Sequence, residues 1–322
     1  MSAVLVAAFY RFSGLSAEVL PALQSELREL AEAEAVRGTI LLAGEGVNGT
    51  ICGPEAGVHQ VLARLRQILG MAELEAKLSW ADAQTFARLK VRLKREIVTM
   101  GCPTVKPAEQ VGTYVPPQHW DALISDPDTL VIDTRNSYEV AVGSFRGAID
   151  PGTESFRDFP TWVEQQLRPL VSARQPKAIA LFCTGGIRCE KATAYLLQRG
   201  FTGVHHLQGG ILRYLEEVPE QSSSWQGECF VFDQRVTVNH QLEPGNHSLC
   251  YACGLPLAPA ELQHPAYRKG VSCHHCIARF SDADRARFAE RQRQHEQVCQ
   301  KQAQAQAQSL TQSSSAAAPL HS

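Results

Sequence analysis

The segment Ala178-Ile179-Ala180-Leu181-Phe182 is continuously apolar and runs directly into Cys183-Thr184-Gly185-Gly186-Ile187-Arg188-Cys189-Glu190-Lys191. A short apolar run without alternation suits a strand covered on both faces, as in parallel sheets flanked by helices. The two glycines let the chain curl tightly after the strand. Helical sequence begins at about Cys189 and is clear from Lys191 to Gln198. Strand, tight loop and helix in that order put Cys183 at the carboxyl end of a strand, where open α/β sheets carry their working loops. Thr129 to Asp133 is a second short apolar strand, ending in an acid, and Gly203 to Leu207 is a further one. Residues 110–220 are therefore expected to form one parallel α/β domain.

The loop also has a chemical reading. Successive backbone N–H groups of Thr184, Gly185, Gly186 and Ile187 can point inward as an anion cradle at a helix start, and Arg188 adds a fixed positive charge. Both features favour thiolate over thiol, so Cys183 is expected to titrate below an ordinary cysteine. A thiolate held this way can attack sulfur or carbon and can carry a persulfide. The competing reading, a small buried hydrophobe at a strand end, leaves the glycines and Arg188 unexplained. Cys189 has two readings: it resolves an oxidised Cys183 as a disulfide, or it packs under the loop.

Residues 1–100 read as a different unit. Val4 to Phe12, Gly38 to Ala43, Val47 to Cys52 and Leu74 to Trp80 are strands, with helices from Ala17 to Ala33 and from Pro54 to Leu69. The order βαββαβ is that of a ferredoxin-like sandwich. Ala87 to Arg95 then alternates basic and apolar residues, which suits a strand with one buried face and one basic stripe. Lys90, Arg92, Lys94 and Arg95 either protect a solvated sheet edge or track RNA phosphates. The formal net charge is only −2, so any nucleic-acid surface has to be local.

Ten cysteines are present, and their arrangement argues against disulfides. Cys250-x-x-Cys253 and Cys273-x-x-Cys276 are separated by 19 residues, the spacing of a closed, structural zinc site; an iron–sulfur site uses similar ligands. His274 and His275, between the last two cysteines, are expected to face solvent, and Gly254 and Gly270 to make the flanking turns. Cys52, Cys102, Cys229 and Cys299 have no partners at metal spacing and read as core or surface thiols. Residues 225–285 are expected to form the zinc module, after a polar linker from Glu220 to Ser224. Residues 286–322 should be a charged helix decaying through Gln/Ala repeats into a disordered tail. The start of the chain lacks a basic leader, and no apolar run approaches the ~18–20 residues of a membrane span, so a cytoplasmic protein is expected.

The Cys183–Arg188 loop resembles the active-site loop of rhodanese-family sulfurtransferases. Val131-Ile132-Asp133-Thr134-Arg135 with Tyr138-Glu139, the Gly143 to Ile149 turn, and Gly209-Gly210-Ile211 are similar to further signatures of that fold. From Cys183 to Arg188 the loop is six residues long, as in sulfurtransferases, whereas related phosphatases carry one residue more. Gly38-Thr39-Ile40-Leu41-Leu42-Ala43, Glu45-Gly46-Val47-Asn48-Gly49-Thr50-Ile51 and Leu89 to Val98 are similar to the N-terminal signature of bacterial tRNA uridine-34 hydroxylases. That resemblance implies a tRNA partner rather than DNA, and molecular oxygen as co-substrate. It also implies conversion of the wobble uridine to 5-hydroxyuridine, with Cys183 essential. Two rival functions stand beside it: a sulfurtransferase working from thiosulfate or a persulfide, and a non-catalytic RNA-binding adaptor.

Overall fold

A computed structural model describes residues 3–68 and 74–315. The chain divides into two compact units, Met1–Gly245 and Asn246–Ser322.

The first unit opens with β1 (Val4–Phe12), α1 (Leu20–Ala33), β2 (Arg37–Ala43), β3 (Gly46–Gly53), α2 (Glu55–Ile68) and β4 (Ala76–Ala81), the expected sandwich. Helix α1 starts later than its leucine spacing suggests, because Pro21 occupies its first turn. Leu69, assigned above to the second helix, lies outside the described residues. The strands are ordered β4-β1-β3-β2 and are antiparallel, and β5 (Leu89–Leu93) adds outside β2 in parallel. Leu5, Ala7 and Phe9 of β1 join the core under α1 and α2. The period of two turns Tyr10 and Phe12 to the other face, where they pack with Ile97 and Ile187.

The second part of this unit is a four-stranded parallel sheet ordered β6-β10-β9-β7. Its strands are β6 (Thr113–Val115), β7 (Thr129–Asp133), β9 (Ala178–Phe182) and β10 (Val204–Leu207). Helices α3 (Pro117–Ile124), α4 (Ser137–Val140), α5 (Phe159–Trp162), α6 (Arg168–Arg174), α7 (Ile187–Gln198) and α8 (Gly210–Glu217) surround it, with a π-helical stretch Val163–Leu167 between α5 and α6. Strand β9 is buried at every position. Ile179 and Leu181 face one core, while Ala180 and Phe182 face the other. Helix α7 begins at Ile187, two residues before the expected start, because Gly186 takes a left-handed conformation and ends the loop early.

Residues 225–245, placed with the cysteine pairs by sequence alone, belong to this first unit. Strand β11 (Trp225–Gly227) pairs with β8 (Gly143–Phe145), and β12 (Cys229–Phe230) pairs with β13 (Thr237–Val238). Buried Trp225 packs edge-on against Phe145, an anchor that cysteine spacing does not encode.

The second unit contains the short pair β14 (Ser248–Leu249) and β15 (Pro256–Leu257), a 3-10 turn at Pro259–Gln263, and α9 (Asp282–Ser315). Ser281 and Asp284 cap the start of α9 reciprocally. The Gln/Ala repeats continue this helix to Ser315 rather than decaying, in keeping with their high helix propensity. Residues 316–322 and the side chain of Cys299 lie outside what is described. Among the described residues no helix is long and apolar enough to cross a membrane.

One buried cation joins the sandwich to the parallel sheet. Lys191, fully buried on α7, donates to both Glu45 oxygens at 2.9 and 2.8 Å, to Glu96 at 2.7 Å and to the Val98 carbonyl at 3.0 Å. Glu45 in turn accepts from the Ile97 N–H, and Asn48 donates to the Ile97 carbonyl. Removing the ammonium leaves two carboxylates facing each other with little water. Lys191→Met is therefore expected to destabilise the chain by about 3–5 kcal/mol, read from urea unfolding midpoints.

Candidate active site

Cys183 ends β9 with a side chain that has 0 % exposure. The Gly186 N–H donates to its sulfur at 3.1 Å. Gly186 sits at φ +104°, and a Cβ there would lie 2.6 Å from the Tyr10 hydroxyl. Gly210 closes the loop from below: a Cβ on it would come within 2.5 Å of the Cys183 carbonyl and 2.7 Å of the Gly186 nitrogen. The freed start of α8 then donates from Ile211 N–H to the Cys183 carbonyl (3.0 Å) and from Leu212 N–H to the Thr184 carbonyl (3.1 Å). Only glycine permits so close an approach of two backbones.

Burial opposes a charge on the Cys183 sulfur. Against it act a hydrogen bond from the Cys189 thiol, the Arg188 guanidinium, and the backbone N–H groups of Cys189 and Gly186. These win, and the thiol is held well below its ordinary range. The expected cradle of Thr184 to Ile187 thus acts on the sulfur through Gly186 and, two residues beyond its expected limit, through Cys189. Thr184 serves differently: its hydroxyl lies 3.4 Å from Glu139 and accepts from Arg188 at 3.2 Å. Cys189 is fully buried under the loop, its sulfur 3.5 Å from the Thr134 hydroxyl, and burial together with Cys183 pushes its own thiol up. Cys189 thus packs under the loop, with its thiol against the Cys183 sulfur.

Arg188 is not a free charge. It makes a two-pronged pair with Glu139 at 2.6 and 2.8 Å, and Glu139 has no exposed surface. Burial alone would raise the Glu139 carboxyl, yet Arg188 and Arg135 hold it below its usual range. Arg135 is itself buried and clamped to Asp133 at 2.6 and 2.9 Å. Each guanidinium is thereby fixed by an acid, Arg135 by Asp133 at the end of β7 and Arg188 by Glu139 on α4.

The sandwich domain adds two side chains that sequence reasoning missed. Lys77 of β4 donates to the Gly185 carbonyl at 2.6 Å and lies 5.4 Å from the Tyr10 ring centre. Tyr10 of β1 donates to Glu190 at 2.8 Å. Burial lowers the Lys77 ammonium and raises the Glu190 carboxyl. No local pattern marks Lys77 or Tyr10, because they are 108 and 180 residues away from the groups that they meet.

The basic strip is not part of this cluster. Lys90, Arg92, Lys94 and Arg95 lie on or after β5, at the sheet edge opposite β4. Arg92, Lys94 and Arg95 are exposed and Lys90 is half-buried. The expected apolar face is buried fully only at Val91, whose carbonyl accepts from Gln24 and Arg28 of α1; Leu93, beyond that cover, is exposed.

In the second unit the sulfurs of Cys250, Cys253, Cys273 and Cys276 all lie within 4.8 Å of one another. The separations are 4.0 Å for Cys250–Cys276, 3.8 Å for Cys253–Cys273 and 3.6 Å for Cys273–Cys276. Four thiolates about 2.3 Å from a tetrahedral ion would be spaced about 3.8 Å apart, so the donor set fits zinc. Gly254 and Gly270 make left-handed turns as expected. His275 is exposed, but His274 is not solvent-facing: its side chain is 27 % exposed, and both rings reach Glu261, at 3.1 and 3.3 Å.

Residues 4–97 match the UPF0176 acylphosphatase like domain, and residues 116–217 match the rhodanese-like domain. A tRNA uridine(34) hydroxylase of Synechococcus sp. (strain CC9902) is 60 % identical over 92 % of this chain and 99 % of its own length. The proteins of that name from Parasynechococcus marenigrum (strain WH8102) and Prochlorococcus marinus (strain MIT 9313) are 61 % and 57 % identical, each over 92 % of this chain and 94 % and 96 % of their own. With a buried, activated thiol at the centre of its rhodanese-like part, the chain belongs to the tRNA uridine(34) hydroxylase family.

Proposed function

We propose that this protein hydroxylates the wobble uridine of tRNA to 5-hydroxyuridine in an oxygen-dependent reaction, with Cys183 as nucleophile. The observation that carries the assignment of Cys183 is its thiolate, favoured although fully buried, in a chain of this family. Addition of the thiolate to C6 of uracil forms the S–C6 bond and moves the ring electrons toward C5. The C5 carbon then attacks dioxygen, and the resulting hydroperoxide takes two electrons and two protons from an external dithiol and loses water. Departure of the C5 proton and of the thiolate restores the C5–C6 double bond. Arg188, neutralised by Glu139, positions the loop and stabilises the anionic sulfur before addition and after release.

The remaining features take supporting roles in this reading. The exposed strip of Lys90, Arg92, Lys94 and Arg95 contributes to holding the tRNA backbone. The four clustered cysteines hold one structural zinc, which organises the second unit without an open position for substrate. The protein acts in the cytoplasm, where free thiols persist.

Cys183→Ser is nearly isosteric, so the fold and tRNA binding are expected to survive while 5-hydroxyuridine disappears, as measured by mass spectrometry of tRNA nucleosides. If 5-hydroxyuridine persisted in that strain while thiosulfate:cyanide transfer by the purified variant vanished, the protein would be a sulfurtransferase instead.

Neutralising Lys90 and Arg92 together should weaken tRNA binding and flatten the log–log salt dependence by roughly one to two units. An unchanged slope would return the strip to edge protection.

Anaerobically purified protein should carry about one zinc per chain by elemental analysis. Cys273→Ser should release the metal and make residues 246–280 protease-sensitive. Stoichiometric disulfides with no metal would contradict this.

A further inference from the structure

Phe232 is a large apolar side chain with 60 % exposure, held beside the reactive loop. Its ring centre lies 6.0 Å from the Arg188 guanidinium carbon, and Arg188 is one of the groups that favour the Cys183 thiolate. A solitary exposed phenylalanine needs no explanation, but this one stands on an anchored turn and a buried aromatic ring. It stands edge-to-face on buried Phe230 at 5.1 Å, and Phe230 stands edge-to-face on Tyr138 at 5.3 Å.

The backbone that carries it is equally constrained. Val231 N–H donates to the Val236 carbonyl at 2.9 Å, and Gln234 N–H donates to the Thr85 carbonyl of the sandwich domain at 3.1 Å. Arg235 closes the turn from below, pairing with Asp233 at 2.6 Å and donating to Ser79 of β4 at 3.0 Å. Val236 sits at φ +65°, a conformation that branched side chains rarely adopt and that persists only where its surroundings enforce it. Polar anchoring, strain and two aromatic supports are spent on a turn whose outermost side chain packs against little. A rigid exposed ring beside the reactive loop is a surface on which an unpaired base can stack.

We propose that Phe232 is a nucleobase-binding position, on which an unpaired base of the anticodon loop stacks as the uridine approaches Cys183. The inference rests on the RNA-hydroxylase reading and adds to it the group that orients the RNA at the mouth of the site. Hydrogen bonding cannot be the purpose of a phenyl ring, so the recognition is by ring face and should tolerate any base at the stacked position.

The test compares Phe232→Ala, Phe232→Leu and Phe232→Trp in the full chain, with urea midpoints checked for each. Alanine and leucine should both lower tRNA 5-hydroxyuridine, in cells lacking their own hydroxylase, by about five- to a hundredfold, while tryptophan retains it. Leucine is the decisive variant, because it keeps the apolar bulk and removes only the π face. In parallel, an anticodon stem-loop with an unmodified wobble uridine should quench the extra emission of the Phe232→Trp variant over that of the wild type. Wild-type 5-hydroxyuridine from Phe232→Ala and Phe232→Leu, or emission indifferent to the RNA, would overturn the stacking position and leave the hydroxylase reading standing. Quenching by the RNA in a protein that makes no 5-hydroxyuridine would do the reverse.

Discussion

An anionic sulfur without any exposed surface is the constraint around which the first unit is built. Charge transferred out of water is costly unless donors and counter-charges replace the lost hydration. Here the replacements come from both domains of the unit. The loop gives the Gly186 N–H, the first turn of α7 gives Arg188 and the Cys189 N–H and thiol, and β4 brings the Lys77 ammonium toward the same point. Each donor then needs its own support. Arg188 requires Glu139, Glu139 shares Arg135, and Arg135 requires Asp133, so the need for charge balance propagates to the end of β7. Gly186 and Gly210 follow from the same demand, since side chains at either position would push the donors away from the sulfur.

The sandwich domain is consequently more than a neighbouring module. Lys191 follows the reactive loop by one helical turn and is gripped by Glu45 and Glu96 from the far end of the sheet. Lys77 grips the loop itself from the near edge, at β4. Helix α7 and its loop are thus fixed at two places by a second fold, which restricts how far the sulfur can drift relative to its donors. A rhodanese-like domain alone would have to build this rigidity from its own residues.

Features with a local cause were legible in the sequence. The apolar run before Cys183, the glycines after it, and the paired cysteines each determine structure within a few residues, and all appeared where expected. The sandwich order was legible for the same reason, because periods of two and of 3.6 are local properties. Features with distant causes were not. Arg188 announces a charge, but nothing near it announces that Glu139, 49 residues earlier, will neutralise it. Tyr10 and Lys77 sit in ordinary strand positions, and only the docking of two domains gives them a role. Residues 225–245 misled for a related reason: their proximity in sequence to the cysteine pairs says nothing about Trp225, whose partner Phe145 lies on β8. The basic strip was half legible, since alternation predicts a strand but not how much of it helix α1 covers.

Zero exposure at Cys183 has a further consequence, which concerns time rather than place. Under the proposed function, a uracil ring meets this sulfur only once the groups sealing it give way. Until that opening, peroxides and electrophiles in solution are shut out as firmly as the substrate, and a low-pKa thiolate is the kind most prone to irreversible oxidation. The energy of binding a large RNA is available to drive the opening, whereas a small oxidant brings too few contacts to do so. Admission, rather than recognition of the base alone, then protects a buried thiolate from oxidation between encounters with RNA.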